Sequence, residues 1–228
     1  MNKNISLADY LYQFMLKERS DAFKRALQNR TSYITLILED LFQHQNYSAV
    51  LRSSECFGIQ DIYVVENRNK FLLNPDVVMG ANKWLTINQY SVTPENKLAD
   101  FVHSIKSKGY RIIGTTPNPD ATPINQLNIS NSPIAVVFGT ELTGLSPEMS
   151  SLVDEMVTIP MYGLTASLNI SVSAAIVLQD LTFRLRNEVE KWQLSPNELN
   201  KLEIEWLTKS LKKSDLLIKN YNDLKHHQ

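Results

Sequence analysis

Apolar residues fall along this chain in two rhythms. Tyr33–Glu39 (Tyr-Ile-Thr-Leu-Ile-Leu-Glu) and Ile134–Phe138 are short, nearly unbroken apolar runs with β-branched side chains, the pattern of strands buried on both faces of a parallel sheet. Asp61–Val65, Trp84–Tyr90, Tyr110–Gly114 and Met156–Pro160 predict further strands. Between them lie segments that predict helices over Asn46–Phe57, Pro94–Lys108 and Ser146–Val153, with Gly58 and Gly109 as stops after the first two. Strands alternating with helices predict an α/β domain with a mostly parallel sheet. Leu7–Arg30 predicts a helical segment of mixed charge, and Ser167–Val189 a long helix. Ser195-Pro-Asn-Glu198 has the spacing of a capping box and starts a final lysine-rich amphipathic helix, solvated, packed on a partner or touching RNA. The expected organisation is an amino-terminal helical arm over 1–30, one α/β domain over 31–187 and a helical extension over 188–228.

Composition narrows the class without choosing a function. The 228 residues are 43% hydrophobic and 21% charged, ordinary for a globular chain whose core needs no disulfides. The single cysteine, Cys56, excludes an internal disulfide, fits a reducing compartment and reads as a small buried hydrophobe. Acids and bases interrupt the first seventeen residues, so no secretory signal is expected. No run reaches the roughly eighteen apolar residues of a membrane span. A formal charge of −1 is neutral on nucleic acid, because a local patch can still bind phosphate.

Several chemistries are missing from the motifs. No two of the seven glycines are separated by a single residue, which removes the dinucleotide-binding fingerprint. Gly139 and Gly144 have P-loop spacing, but Leu145-Ser146 stands where Lys-Ser/Thr is required. There is no Gly-x-Ser-x-Gly elbow, and the four histidines form no metal-ligand spacing with Cys56.

Three constellations remain. Asn46-Tyr-Ser-Ala-Val-Leu-Arg52 follows a buried strand, with Asn46 placed to cap the next helix and Arg52 partly surrounded by apolar positions. Arg52 is either a helix arginine reaching water or a phosphate clamp. Phe138-Gly139-Thr-Glu141-Leu-Thr-Gly144 lies at a strand's carboxyl end, where open α/β sheets gather ligands; it is either a tight loop or a binding loop. Ile159–Leu178 joins a strand to a long helix through a turn crowded with Thr165, Ser167, Asn169 and Ser171. That turn is a capped α/β connection or a site for a small polar ligand.

In this order and spacing the three segments resemble the SpoU (TrmH-like) family of RNA ribose methyltransferases. The resemblance spans roughly residues 20–187, and Gly80-Ala-Asn-Lys-Trp84 with Ile159-Pro-Met161 is most similar to its transfer-RNA branch. It implies a SPOUT-type α/β fold whose carboxyl part is threaded into a trefoil knot, a homodimer, and a cytoplasmic enzyme without metal or membrane. The implied cofactor is S-adenosylmethionine, held by Thr116, Gly139, Ile159 and Leu168. Asn46, Arg52, Glu141, Ser167 and Asn169 would form the polar shell of a reaction that methylates a ribose 2′-hydroxyl, that of guanosine 18 in tRNA. RNA contacts are expected from Arg19, Lys24, Arg25, Arg30, Arg184 and Arg186. Because a guanidinium does not lose its proton in a protein, Arg52 is expected to position and stabilise charge, with a phosphate or water accepting the hydroxyl proton. The alternatives are a ribosomal-RNA methyltransferase of the same family and a non-catalytic RNA-binding protein of the same fold.

Overall fold

The two most apolar runs stand side by side in the middle of the sheet. The computed structural model describes residues 5–226. Its strands are β1 (Ile34–Glu39), β2 (Asp61–Glu66), β3 (Thr86–Ser91), β4 (Arg111–Thr115), β5 (Thr122–Pro123), β6 (Ile134–Phe138) and β7 (Glu155–Thr158). They form one sheet in the order β3-β2-β1-β6-β4-β7-β5, and every pairing is parallel. The helices are α1 (Leu7–Tyr12), α2 (Lys17–Leu27), α3 (His44–Cys56), α4 (Pro75–Val78), α5 (Leu98–Ser107), α6 (Pro147–Leu152), α7 (Ile170–Glu188), α8 (Pro196–Ser210) and α9 (Ser214–His226).

Alternation along the central strands builds two cores. Ile34, Leu36 and Leu38 of β1, with Ile134, Val136 and Phe138 of β6, join the layer containing α3 and α7. Ile37, Ala135 and Val137 point to the other face, against Phe101, Ile105 and Met149 of α5 and α6. Because both faces are covered, β1 and β6 are buried at every residue. Removing such a side chain from water is worth about 1.5–3 kcal/mol.

The helical ends form a unit of their own. Met1–Arg30 and Gln193–Gln228 make one body, and Thr31–Trp192 the other. In the helical body Tyr10, Leu11, Leu207 and Tyr221 share an apolar centre, and the Tyr12 hydroxyl donates to Glu203 at 2.7 Å. The capping box is present: Ser195 N–H donates to Glu198 at 2.8 Å, and Glu198 N–H donates to Ser195 Oγ at 3.4 Å. By sequence this body carries twelve basic and eight acidic residues, against eleven and sixteen in Thr31–Trp192.

Several boundaries differ from expectation. The first helical stretch is broken between Tyr12 and Lys17, and the last is two helices, α8 and α9. Helix α5 starts at Leu98 because Thr93–Asn96 closes a turn, with Asn96 N–H on the Thr93 hydroxyl at 3.1 Å. Among the described residues no helix is long and apolar enough to cross a membrane.

Candidate active site

All strands run the same way, so the loops after β1, β6 and β7 emerge at one edge. There the three sequence motifs meet in a triangle of side chains. Asn46 Nδ2 donates to Glu141 Oε1 at 3.0 Å, and Asn169 Nδ2 donates to the same oxygen at 2.6 Å. Asn169 Nδ2 also lies 3.2 Å from Asn46 Oδ1. Asn169 has a second duty, since its Oδ1 accepts from Ser171 N–H at 2.9 Å and Ser171 Oγ at 2.6 Å, capping α7. Two expectations change here. Asn46 does not cap α3; Gln43 occupies that position, and Asn46 is a buried residue of the first turn, aimed at Glu141. Helix α7 starts at Ile170 rather than Ser167, because Asn169 rather than a serine closes its end.

The loop after β6 is folded on itself. Thr140 and Gly144 exchange backbone hydrogen bonds, both 2.9 Å, and Thr143 N–H reaches the Thr140 hydroxyl at 3.2 Å. A Cβ on Gly139 would lie 2.2 Å from the Gly144 carbonyl oxygen, so only glycine allows this closure. Glu39 ties down the loop's far end. It accepts from Ser146 N–H at 3.0 Å and from Ser146 Oγ at 2.5 Å, while Ser146 Oγ caps α6. Burial pushes the Glu39 carboxyl above the ordinary carboxylate range, opposed by its bonds from Ser146. Glu39 ends an apolar run and carries no motif; its one sequence signal is that it shares a strand face with Thr35 and Ile37.

Beside the triangle lies a cavity of about 500 Å³. Thr116, Gly139, Glu141, Ile159, Ser167 and Leu168 all line it. Sequence reasoning missed Leu142, Thr158, Met161 and Ser173, which sit inside or beside the motifs but looked like spacers. Among the described residues, the backbone N–H groups from Met161 to Leu168 donate no hydrogen bond. Free donors beside apolar walls suit a ligand with a polar, charged end and a flat apolar part, which is the chemistry of S-adenosylmethionine.

Other expected residues lie elsewhere. Arg52 is on the exposed side of α3 and does not line the cavity. Cys56 ends that helix and is exposed, not a buried hydrophobe. Arg30 is buried, with its guanidinium 4.9 Å from the Trp206 ring centre, so it is a core residue and not an RNA contact. Arg184 donates to the Leu127 and Ile124 carbonyls at 2.8 and 3.0 Å and pairs with Asp180 at 2.9 Å. Arg186 donates to the Thr182 and Phe57 carbonyls and stacks on Trp192, and burial lowers its pKa. Both guanidiniums are engaged in holding α7 to its surroundings. Arg19, Lys24 and Arg25 are exposed on α2, Arg19 against Phe23 and Lys24 over Tyr12.

Comparison with known proteins agrees with this geometry. The chain is 40% identical over 215 residues to a tRNA (guanosine(18)-2′-O)-methyltransferase of Borreliella burgdorferi, covering 94% of this chain and 89% of that protein. The crystal structure of a TrmH/SpoU tRNA modifying enzyme from A. aeolicus superposes with a TM-score of 0.74 at 24% identity, covering 86% of this chain and 98% of that one. A SpoU methyltransferase from Streptomyces viridochromogenes, in complex with the cofactor AdoMet, has a TM-score of 0.60 at 21% identity, covering 72% and 64%. Residues 33–179, which contain all three motifs and the cavity they enclose, match the SpoU rRNA Methylase family, and the chain belongs to it.

Proposed function

We propose that this protein methylates the ribose 2′-hydroxyl of guanosine 18 in tRNA, using S-adenosylmethionine held in the cavity beside Asn46, Glu141 and Asn169. The convergence of three distant motifs on one carboxylate carries the reading, supported by the 40% identical relative that bears this activity in its name. The cofactor supplies an activated methyl on a positive sulfonium, so the transfer itself needs no metal.

The chain's own contribution is placement. The loop closed by Gly139 and Gly144 and the free N–H groups around Ser167 and Leu168 hold the donor; Thr116 and Ile159 complete its walls. When bound, the cofactor would supply the methyl group and leave as the neutral thioether, and the hydroxyl proton would pass to a substrate phosphate or water. Arg52 grips a neighbouring phosphate with its planar fork. Positioning of this kind contributes up to about 7–11 kcal/mol to a two-reactant step.

Arg52 stands apart from the cavity, on the helix packed beside α7. Helix α7 exposes Val172, Ile176 and Phe183, spaced by four and seven residues and therefore on one side. We read this face as the seam of a homodimer, in which each Arg52 serves the neighbouring subunit's site. The strand order, with β6 between β1 and β4, supports the knotted threading that the family resemblance implies. The excess of basic residues in the helical body supports a role in tRNA binding, with Arg19, Lys24 and Arg25 as contacts. We place the enzyme in the cytoplasm, with its substrate.

The test is methyl transfer from labelled S-adenosylmethionine to a tRNA transcript, with the product mapped by mass spectrometry. One 2′-O-methylguanosine at position 18 is expected. Methylation of ribosomal RNA alone, or cofactor binding without transfer, would replace this reading by one of the two alternatives.

A further inference from the structure

The structure holds nine tyrosines, and eight have an evident structural place. Tyr10, Tyr47 and Tyr221 are buried; the hydroxyls of Tyr12, Tyr33, Tyr90 and Tyr110 donate to protein oxygens, and Tyr63 packs on Phe101 and Lys108. Tyr162 is 97% exposed, with no ring or hydroxyl contact among the described residues. It stands between Met161 and Ala166, both of which line the cavity, and is followed by Gly163. Leu164 in the same loop is fully exposed, and Leu142, from the opposite loop, lines the cavity while 97% exposed. Large apolar side chains gathered at the loops of a cavity, uncovered, mark a surface that something else covers.

We propose that Tyr162 is the platform on which the base of the methylated nucleotide stacks. This rests on the function proposed above and adds to it the residue that receives the base. A ribose can bring its 2′-hydroxyl to a buried methyl donor only if its nucleotide leaves the neighbouring stack. Bases turned out in this way are taken up on aromatic faces. The nucleotide's ribose enters beside Glu141, and its base lies over the rim, against Tyr162, with Leu164 and Leu142 as apolar flanks. Stacking of this kind tolerates any base, so Tyr162 supplies grip rather than a reading of guanine edges.

The experiment compares the full-length wild type with Tyr162→Ala and Tyr162→Phe on a tRNA transcript, and on the same transcript with an abasic site at the methylated position. Tyr162→Ala is expected to lower kcat/KM for tRNA about 10- to 100-fold, the range of one lost stacking contact, with S-adenosylmethionine affinity unchanged by calorimetry. Tyr162→Phe keeps the ring and should retain the wild-type rate. On the abasic transcript the wild type should fall to the level of Tyr162→Ala, and Tyr162→Ala should fall no further. Wild-type kcat/KM in Tyr162→Ala overturns the proposal. So does a shift of Tyr162→Ala from dimer to monomer in light scattering, which would make the side chain part of the subunit seam. A wild type that transfers no methyl group to any tRNA refutes the underlying function and the platform with it; an active wild type with an indifferent Tyr162→Ala refutes the platform alone.

Discussion

Asn169 does two jobs with opposite ends of one amide, and substitutions can separate them. Its Oδ1 caps α7 through Ser171, while its Nδ2 holds Glu141 at 2.6 Å and Asn46 at 3.2 Å. Serine at this position keeps an oxygen able to cap a helix but is too short to bridge to Glu141; alanine loses both functions. The lost cap costs about 1 kcal/mol of stability. A hydrogen bond to a carboxylate is worth about 1.5–3 kcal/mol, and Glu141 is exposed enough to place this one near the lower end. Asn169→Ser should therefore melt near the wild-type temperature. Asn169→Ala should melt a few degrees lower, as about 1 kcal/mol does in a domain of this size. Both should lose roughly 10- to 30-fold in kcat/KM for tRNA, because about 1.5–2 kcal/mol of transition-state positioning goes with the link. Differential scanning fluorimetry and steady-state methyl transfer on the same preparations decide the matter. If Asn169→Ser methylates tRNA at the wild-type rate, the triangle is a scaffold and the proposed placement of Glu141 has no catalytic consequence.

Glu39 sets a pH dependence. Its raised carboxyl lets the folded protein keep a proton that the unfolded chain has released, so its stabilising effect is full at low pH and lost as pH rises through the folded value. Glu39→Gln should flatten that limb in a series of thermal melts, and an unchanged slope would contradict the burial argument. Gly139→Ala forces a methyl group against the Gly144 backbone and should abolish cofactor binding in calorimetry while circular dichroism stays native; retained affinity would show the loop to be pliable. Arg184→Ala should lower the melting temperature through its lost carbonyl contacts yet leave tRNA affinity intact in filter binding, whereas a steep affinity loss would restore it to the RNA surface. Arg52→Lys keeps charge without the fork and should lose at least tenfold in kcat with cofactor affinity unchanged; near-normal turnover would refute the bidentate grip.

The strands were legible because β1 and β6 are covered on both faces, which leaves no room for polar residues except at special sites. Glu39 is one of those, and nothing local distinguishes it from a residue emerging into solvent. The site was legible as a set of residues and less so in their roles. Asn46 has the composition of a cap, but tertiary demand from Glu141 outweighs that preference and places it within the first turn of α3. The arginines of α7 have a structural role that their charge alone did not show. Basic side chains near a helix's end suggest a phosphate surface, but Asp180 and Glu188, four residues either side of Arg184, already announced an internal network. The cavity walls at Thr158 and Met161 were invisible because what they contribute depends on loops meeting from different strands.

The place of β6 bears on how the molecule is made. A nascent chain emerging from the ribosome presents β1 and β4 well before Ile134–Phe138 exists, yet neither has its central neighbour until that segment arrives. Until then one edge of β1 and both edges of β4 stand open, because β7 comes later still, and each can capture the wrong partner. Release of Ile134–Phe138 is thus the point at which β1 and β4 can first be joined, and a pause after it would favour correct assembly while a pause just before it would invite aggregation.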